Sequence, residues 1–377
     1  MPDLPLSELP DSFPDSFPKA DGIAPLIFGC EGAVLSEEER QFFKRCKPFG
    51  FILFHRNCGD REQLRALVRD LRDCVGWRCP VLIDQEGGRV ARMKPPVWAA
   101  LPPAHSFGDL TRRHFTQGLE AVALQARALA FMLGEVGIDV NCAPVCDVLQ
   151  TGLTSDAIGD RAYSNEPEIV ALLVKAFIKE SAALGMTPVL KHLPGHGRAS
   201  VDSHYDLPVV EDSLATLQRH DFVPFVQAMA TEEAASAWGM VAHMMFPAID
   251  AERPSSLSRP VIEGVIRAQM GFAEAVLVSD DLSMGALGRY GDDAQRAKMT
   301  LEAGMDIALH CNGKMADMVK VAQAVPPMSP QAATRIEHWL KARKRLAHQH
   351  RENHEDLYDI VTTLNGFLPK ATRKGSF

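Results

Sequence analysis

Eight short apolar runs alternate with longer amphipathic segments between about Pro25 and Val325. The runs are continuously apolar, which is typical of parallel strands that are buried on both faces. Parallel strands with helical crossovers form either an open doubly wound sheet or a closed barrel. Eight strand–helix units favour the α/β fold of a (β/α)8 TIM barrel, and the first run lacks the G-x-G-x-x-G motif of a dinucleotide-binding sheet.

The elements are predicted from apolar pattern and capping signals. Ser36 and Glu39 form a capping box at the first helix, and Asp60 begins the second. The segment SLATLQRHDFVPFVQAMA is predicted to form one helix. The predicted strands lie in PLIFGCEG, FGFILFH, PVLIDQEGGRV, DVNCAPVCDV, TPVLKHLPGHG, GMVAHMMFP, AEAVLVSDDLSM and MDIALHCN.

The chain length of 377 residues is compatible with one large barrel or with two or three domains. We predict a flexible Pro-rich tail at residues 1–22 and a single catalytic barrel at residues 23–328. Residues 329–377 are predicted to form a C-terminal helix and tail packed on the barrel. This helix is basic and carries Trp339.

Composition and charge limit the partners. The net charge of −8 disfavours general nucleic-acid binding, and no apolar stretch is long enough to span a membrane. The acidic, Pro-rich start does not resemble a secretory signal, so we predict a cytoplasmic protein. The eight cysteines lack CxxC spacing, and Cys142 and Cys146 have no second pair nearby, so buried reduced thiols are favoured over zinc. We predict no metal or other cofactor, and a monomer.

Chemistry-bearing residues collect after the fifth run, where active sites of such barrels lie. Lys191 and His192 end this run, and Asp202 and His204 follow in D-S-H spacing. An extended segment would direct Asp202 and His204 to the same side. A carboxylate beside an imidazole fixes its tautomer and raises its proton affinity, which suits a proton shuttle.

Three other strand ends carry polar groups. Asp84 and Arg92 lie in D-Q-E-G-G-R-V-A-R after the third run, and Arg161 lies in a loop after the fourth. Asp280 and Asp281 end the seventh run, where one acid is a candidate nucleophile and the other a helix N-cap. A carboxylate nucleophile with a separate proton carrier is the equipment of retaining glycoside hydrolysis.

Four motifs in this order resemble glycoside hydrolase family 3, in particular its single-domain β-N-acetylhexosaminidases of the NagZ type. They are D-Q-E-G-G-R-V-A-R, G-D-R-A-Y-S, K-H-L-P-G-H-G with D-S-H, and S-D-D-L-S-M. The resemblance implies a retaining exo-hydrolase that releases terminal β-linked N-acetylglucosamine from recycled cell-wall muropeptides.

The resemblance also implies a role for each matching residue. Asp280 matches the nucleophile, His204 the general acid/base, and Asp202 the carboxylate that orients His204. The residues that match those holding the sugar are Asp84, Arg92, Arg161, Lys191 and His192.

Other functions remain open at this stage. A β-glucosidase or a glycosyl phosphorylase of the same family would use the same machinery. A non-catalytic sugar-binding barrel would not need both a strand-end acid and an acid–imidazole pair. A metal-dependent hydrolase would draw its ligands from His192, His196, His204, His243 and Asp280.

Overall fold

A computed structural model describes residue 17 and residues 22–150, 157–199, 201–203, 205–348 and 356–368. Eight parallel strands close into a barrel, each hydrogen-bonded to the next one in chain order and the last to the first. The predicted (β/α)8 barrel is therefore confirmed. The barrel strands are β1 (Ala24–Gly29), β2 (Pro48–Leu53), β3 (Val81–Ile83), β6 (Val140–Asn141), β7 (Thr187–Leu193), β8 (Trp238–Val241), β9 (Val276–Asp281) and β10 (Ile307–His310), and the antiparallel pair β4 (Gln85–Gly87) and β5 (Val90–Ala91) follows β3.

Helices surround the barrel and begin where the sequence predicts caps. The Ser36 hydroxyl accepts a hydrogen bond from the Glu39 amide, and Asp60 accepts one from the Gln63 amide. The described α-helices are α1 (Glu37–Cys46), α2 (Arg61–Val75), α3 (Ala104–Arg113), α4 (Phe115–Glu135), α5 (Pro167–Ala183), α6 (Leu214–Arg219), α7 (Val223–Met229), α8 (Asp293–Glu302), α9 (Met315–Ala324), α10 (Pro330–His348) and α11 (Leu357–Phe367).

Two helical predictions differ from the structure. The segment predicted as one helix after β7 forms the separate helices α6 and α7, because Pro224 lacks an amide hydrogen and its ring would collide with the carbonyl four residues earlier. Helix α11, which packs against α4, was not predicted. A π-helix at Pro260–Arg267 follows β8.

The C-terminal helix α10 covers the end of the barrel opposite the strand-end loops. Trp339 packs edge-on against Trp238 of β8 with ring centroids 5.0 Å apart, and its indole Nε1 donates to the Thr187 hydroxyl at 3.0 Å. Phe17 packs beside the same cluster, 5.7 Å from the Trp77 ring. The predicted helical extension is thus present.

The predicted domain boundaries stay predictions. Most of residues 1–22, the predicted flexible tail, lie outside the described residues, as do residues 369–377. All eight cysteines are unpaired, and seven of them are buried. Among the described residues, no helix combines the length and the hydropathy needed to cross a bilayer.

Candidate active site

The carboxyl ends of the barrel strands bring together side chains that are far apart in sequence. Asp84 follows β3 directly, Lys191 and His192 lie in β7, and Asp280 lies in β9. The hairpin of β4 and β5 adds Glu86, and the last residue of β4, Gly87, has φ of 100°, a conformation that other residues rarely adopt. The polar residues at these strand ends therefore share one end of the barrel.

A network of ion pairs forms one wall of the site. The Lys191 ammonium lies 2.9 Å from Asp84 Oδ1 and 2.7 Å from Glu86 Oε1, although only 2% of its side chain is exposed. Arg161 donates to both oxygens of Glu86, at 2.9 and 2.7 Å. Arg92 donates to Asp84 Oδ2 at 3.0 Å. The predicted sugar-binding residues Asp84, Arg92, Arg161 and Lys191 thus lie in one cluster, joined through Glu86.

The network keeps Asp84, Glu86 and Lys191 charged. Burial alone would raise the pKa of Asp84, but the nearby Lys191 and Arg92 hold it well below its usual range. Burial is likewise outweighed at Glu86, where Arg161 and Lys191 lower the pKa to about 2. Burial would lower the pKa of Lys191, but Asp84 and Glu86 raise it above its ordinary value. The wall therefore presents fixed donors and acceptors of opposite charge.

His192 is oriented from both sides of its ring. Its Nδ1 lies 2.7 Å from Asp147 Oδ2, and its Nε2 lies 3.2 Å from Arg161 Nη2. Because a guanidinium can only donate, Nε2 is assigned as the acceptor and Nδ1 as the protonated nitrogen. Asp147 is fully buried, and its Oδ1 accepts the His196 amide at 2.6 Å.

Asp280 is a half-buried carboxylate at the end of β9. Burial would raise its pKa, but His192 and His243 lower it below the ordinary value. The Asp281 amide donates to Asp280 Oδ1 at 2.9 Å. Asp280 is therefore ionised and reachable from the site, as a nucleophile requires.

Asp281 has a different environment from Asp280. Its carboxylate accepts hydrogen bonds from the amide and hydroxyl of Ser283 and from the Cys311 amide. These contacts close a turn after β9 and do not cap the short helix at Gly285–Tyr290, which begins after Met284. The prediction that one acid of the Asp280–Asp281 pair caps a helix is therefore wrong, and Asp281 closes a turn instead.

His243, two residues after β8, supports the same region. Its Nε2 lies 2.9 Å from the Asp281 carbonyl, which can only accept, so Nε2 is assigned the proton. Its Nδ1 lies 2.7 Å from the Ser256 hydroxyl. Burial lowers the pKa of His243, so the ring is neutral near pH 7.

The loop after β7 carries the predicted proton shuttle. Asp202 is half-buried, and its backbone carbonyl accepts from the Tyr205 and Asp206 amides. His204 lies outside the described residues, so the predicted pairing of Asp202 with His204 stays a prediction.

Glu86 and Asp147 were not among the predicted catalytic or sugar-binding residues, and His243 was considered only as a metal ligand. Glu86 stands inside the D-Q-E-G-G motif and Asp147 lies near the end of the fourth apolar run, so both carried the strand-end signal that identified the others. His243 lies in the middle of the sixth run, and its position there carried no such signal. Within the described part of the chain, no group of three or more His, Cys, Asp or Glu side chains is arranged to hold a metal ion.

Comparison with known proteins identifies the family of the chain. Residues 29–338 match the model of the glycosyl hydrolase family 3 N-terminal domain. A β-hexosaminidase of Xanthomonas oryzae pv. oryzae is 38% identical over 294 residues, which cover 77% of this chain and 84% of the relative. A β-hexosaminidase of Xanthomonas axonopodis pv. citri is 37% identical over 315 residues, or 82% of this chain and 90% of the relative.

A solved structure extends the similarity to three dimensions. NagZ from Neisseria gonorrhoeae, in complex with N-trifluoroacetyl-D-glucosamine, superposes with a TM-score of 0.75 at 29% identity. The match covers 94% of this chain and 97% of that structure. The motifs, the barrel and the relatives lead to one conclusion: this chain belongs to glycoside hydrolase family 3.

Proposed function

We propose that the protein is a retaining exo-β-N-acetylglucosaminidase that releases terminal β-linked N-acetylglucosamine through a covalent glycosyl-enzyme. The observation that carries the proposal is Asp280, an ionised, reachable carboxylate facing the charged wall built on Lys191 and Asp84. The β-hexosaminidase relatives, and the N-acylated glucosamine bound by the Neisseria enzyme, support an amino sugar as the substrate.

The wall suits the −1 sugar. Asp84 offers carboxylate oxygens to sugar hydroxyls, and Lys191, Arg92 and Arg161 offer donors to hydroxyl or acetamido oxygens. These groups are held by one another before the sugar arrives, so binding orders few additional side chains. His192 completes the set from the same strand as Lys191.

The proposed cycle has two steps. In the first, a carboxylate oxygen of Asp280 bonds to the anomeric carbon while the glycosidic C–O bond breaks and protonated His204 gives its proton to the leaving oxygen. In the second, neutral His204 takes a proton from water, which attacks the anomeric carbon and frees Asp280. An imidazole with an ordinary pKa of about 6.5 serves both steps near neutral pH. Asp202 orients the imidazole.

Trapping the intermediate tests the nucleophile. A fluorinated N-acetylglucosaminyl substrate should label the peptide containing Asp280, as read by mass spectrometry. Asp280→Ala should abolish both labelling and turnover of an aryl β-N-acetylglucosaminide. Near wild-type turnover in this variant would contradict the assignment.

A substrate panel separates the alternatives within the family. Aryl β-N-acetylglucosaminide should be hydrolysed far faster than aryl β-glucoside or β-xyloside. A preference for the glucoside would instead indicate a β-glucosidase. Release of a sugar 1-phosphate, only when phosphate is present, would indicate a phosphorylase.

The biological setting is also a proposal. We infer that the substrate is a muropeptide of recycled peptidoglycan and that the protein acts as a cytoplasmic monomer. The eight unpaired cysteines support a reducing compartment. Cell fractionation, light scattering of the purified protein, and assays on isolated muropeptides test these points.

A further inference from the structure

We propose that Ser203 is a positioning residue, which anchors the D-S-H segment to two strand ends of the barrel and thereby places His204 for proton transfer. The inference rests on the proposed function, in which His204 is the general acid/base. In this scheme Ser203 does not contact the sugar and acts only through His204.

Two hydrogen bonds hold Ser203. Its hydroxyl lies 3.2 Å from Nε2 of His196, in the loop after β7. Its backbone carbonyl accepts the Ala286 amide at 3.2 Å. Ala286 belongs to the short helix after β9, the strand that contains the nucleophile candidate Asp280. The anchor therefore ties the proton-shuttle segment to the nucleophile's side of the site.

Burial distinguishes Ser203 from its described neighbours. Ser203 is 4% exposed, whereas Val201 is 39% and Tyr205 is 85% exposed. Asp202 is half-buried. Among residues 201–203 and 205, Ser203 is thus the one that inserts into the protein, and a buried hydroxyl without a partner would be unfavourable.

The receiving residue, His196, is itself rigidly held. Its amide donates to the buried carboxylate of Asp147, and its ring packs edge-on against His192 at 5.6 Å. The next residue, Gly197, lies against the Val148 carbonyl with no room for a Cβ atom. Burial and the nearby His192 lower the pKa of His196 to about 4, so a neutral ring meets the neutral hydroxyl near pH 7.

This arrangement couples the anchor to the sugar site. Asp147 holds both His192, a proposed sugar-binding residue, and His196, which receives Ser203. Consecutive Cα atoms are about 3.8 Å apart, so fixing Ser203 restricts where the backbone of the next residue can be. Removing the Ser203 hydroxyl removes one ordinary hydrogen bond. The fraction of protein molecules in which the acid/base is in place should therefore fall about fivefold.

The kinetic test compares two leaving groups. In Ser203→Ala, kcat/KM should fall about fivefold for a disaccharide with a poor leaving group. It should stay within about twofold of wild type for a nitrophenyl glycoside, whose departure needs no acid. Ser203→Thr, which keeps a hydroxyl, should recover most of the loss. Equal losses on both substrates, or no loss on either, would overturn the inference.

Amide hydrogen exchange tests the anchor without using activity. Exchange at Ala286, whose amide donates to Ser203, should accelerate about fivefold in Ser203→Ala. Unchanged exchange would overturn the anchor. Should the wild type release no N-acetylglucosamine, the proposed function would fail, and this measurement would still decide whether Ser203 holds the segment.

Two further variants separate the proposed role of Ser203 from a general loss of stability. Ser213→Ala removes a hydroxyl that caps α6, so it should cost stability while the leaving-group dependence stays wild-type. Ala286→Pro deletes the other arm of the anchor at a first-turn position that tolerates proline, and it should reproduce the selective loss even if Ser203→Ala does not fold. Wild-type leaving-group dependence in a folded Ala286→Pro would contradict the two-point anchor.

Discussion

Replacing Glu86 by Gln should destabilise the protein and change how its stability depends on pH. Glu86 accepts from Arg161 and Lys191, and its side chain is 7% exposed. Its pKa in the folded protein is about 2, against an ordinary value of 4.5, because the two cations outweigh desolvation. This difference corresponds to about 3 kcal/mol of stability from the ionised form. The Glu86→Gln variant would leave two buried cations with one fewer counterion, a change of similar expected size.

The sign of the pH dependence follows from the lowered pKa. The contribution of Glu86 is complete above about pH 4.5, where the unfolded chain is also ionised, and is lost as the pH falls through about 2. The glutamine side chain of the variant does not titrate. The stability gap between wild type and Glu86→Gln should therefore be about 3 kcal/mol at pH 6 and shrink to about 1 kcal/mol at pH 3.

Urea unfolding at several pH values measures this gap. Asp160→Asn is the matched control, since Asp160 pairs with Arg89 at 2.9 Å but both side chains are nearly half exposed. This surface pair should contribute less than about 1 kcal/mol. A gap for Glu86→Gln below about 1 kcal/mol at pH 6, or an equal gap at pH 6 and pH 3, would refute the reasoning.

Three further outcomes are expected. Trp339→Ala should lower the free energy of unfolding by about 3–5 kcal/mol, because Trp339 fills the barrel end beside Trp238. The kcat/KM of the folded variant should stay unchanged. Melting curves measure the first effect, and kinetics at low temperature measure the second. Asp147→Asn should place an amide group against Nδ1 of His192 and so favour the tautomer with the proton on Nε2, which repels Arg161. We expect KM to rise about tenfold. Nitrogen NMR of the His192 ring reports the tautomer, and an unchanged tautomer would contradict this prediction. Prolonged treatment of the protein with a metal chelator should leave kcat unchanged. A loss of activity that added metal restores would contradict the metal-free scheme.

The barrel was predictable from sequence because each of its strands is covered on both faces. A run such as FGFILFH is apolar without alternation, and this pattern distinguishes a buried parallel strand from a surface strand. The position of the candidate site was predictable for a related reason. An acid such as Asp84 or Asp280 that follows a buried strand loses hydration unless it has a partner or a function.

The pairings within the site were not predictable in the same way. Glu86 and Lys191 are far apart in sequence, and their 2.7 Å contact depends on how the β4–β5 hairpin folds over the end of β7. The role of Trp339 depends equally on long-range packing, because nothing near it in sequence indicates that it meets Trp238. Local patterns thus predicted elements and strand ends, whereas contacts between elements required the structure.

Charge balance in the site favours a neutral glycoside as the first ligand. The charges of Lys191, Arg161 and Arg92 balance those of Asp84, Glu86 and Asp280 before substrate binds. The buried carboxylate of Asp147, whose pKa is lowered beside His192, adds one negative charge. An incoming anion would meet no excess of positive charge. Formation of the glycosyl ester removes the negative charge of Asp280 in the same step in which His204 gives up its proton, so the net charge of the site is the same before both steps. The second step therefore starts with a neutral imidazole, which can take the proton of the attacking water without a change in the charge of the surrounding wall.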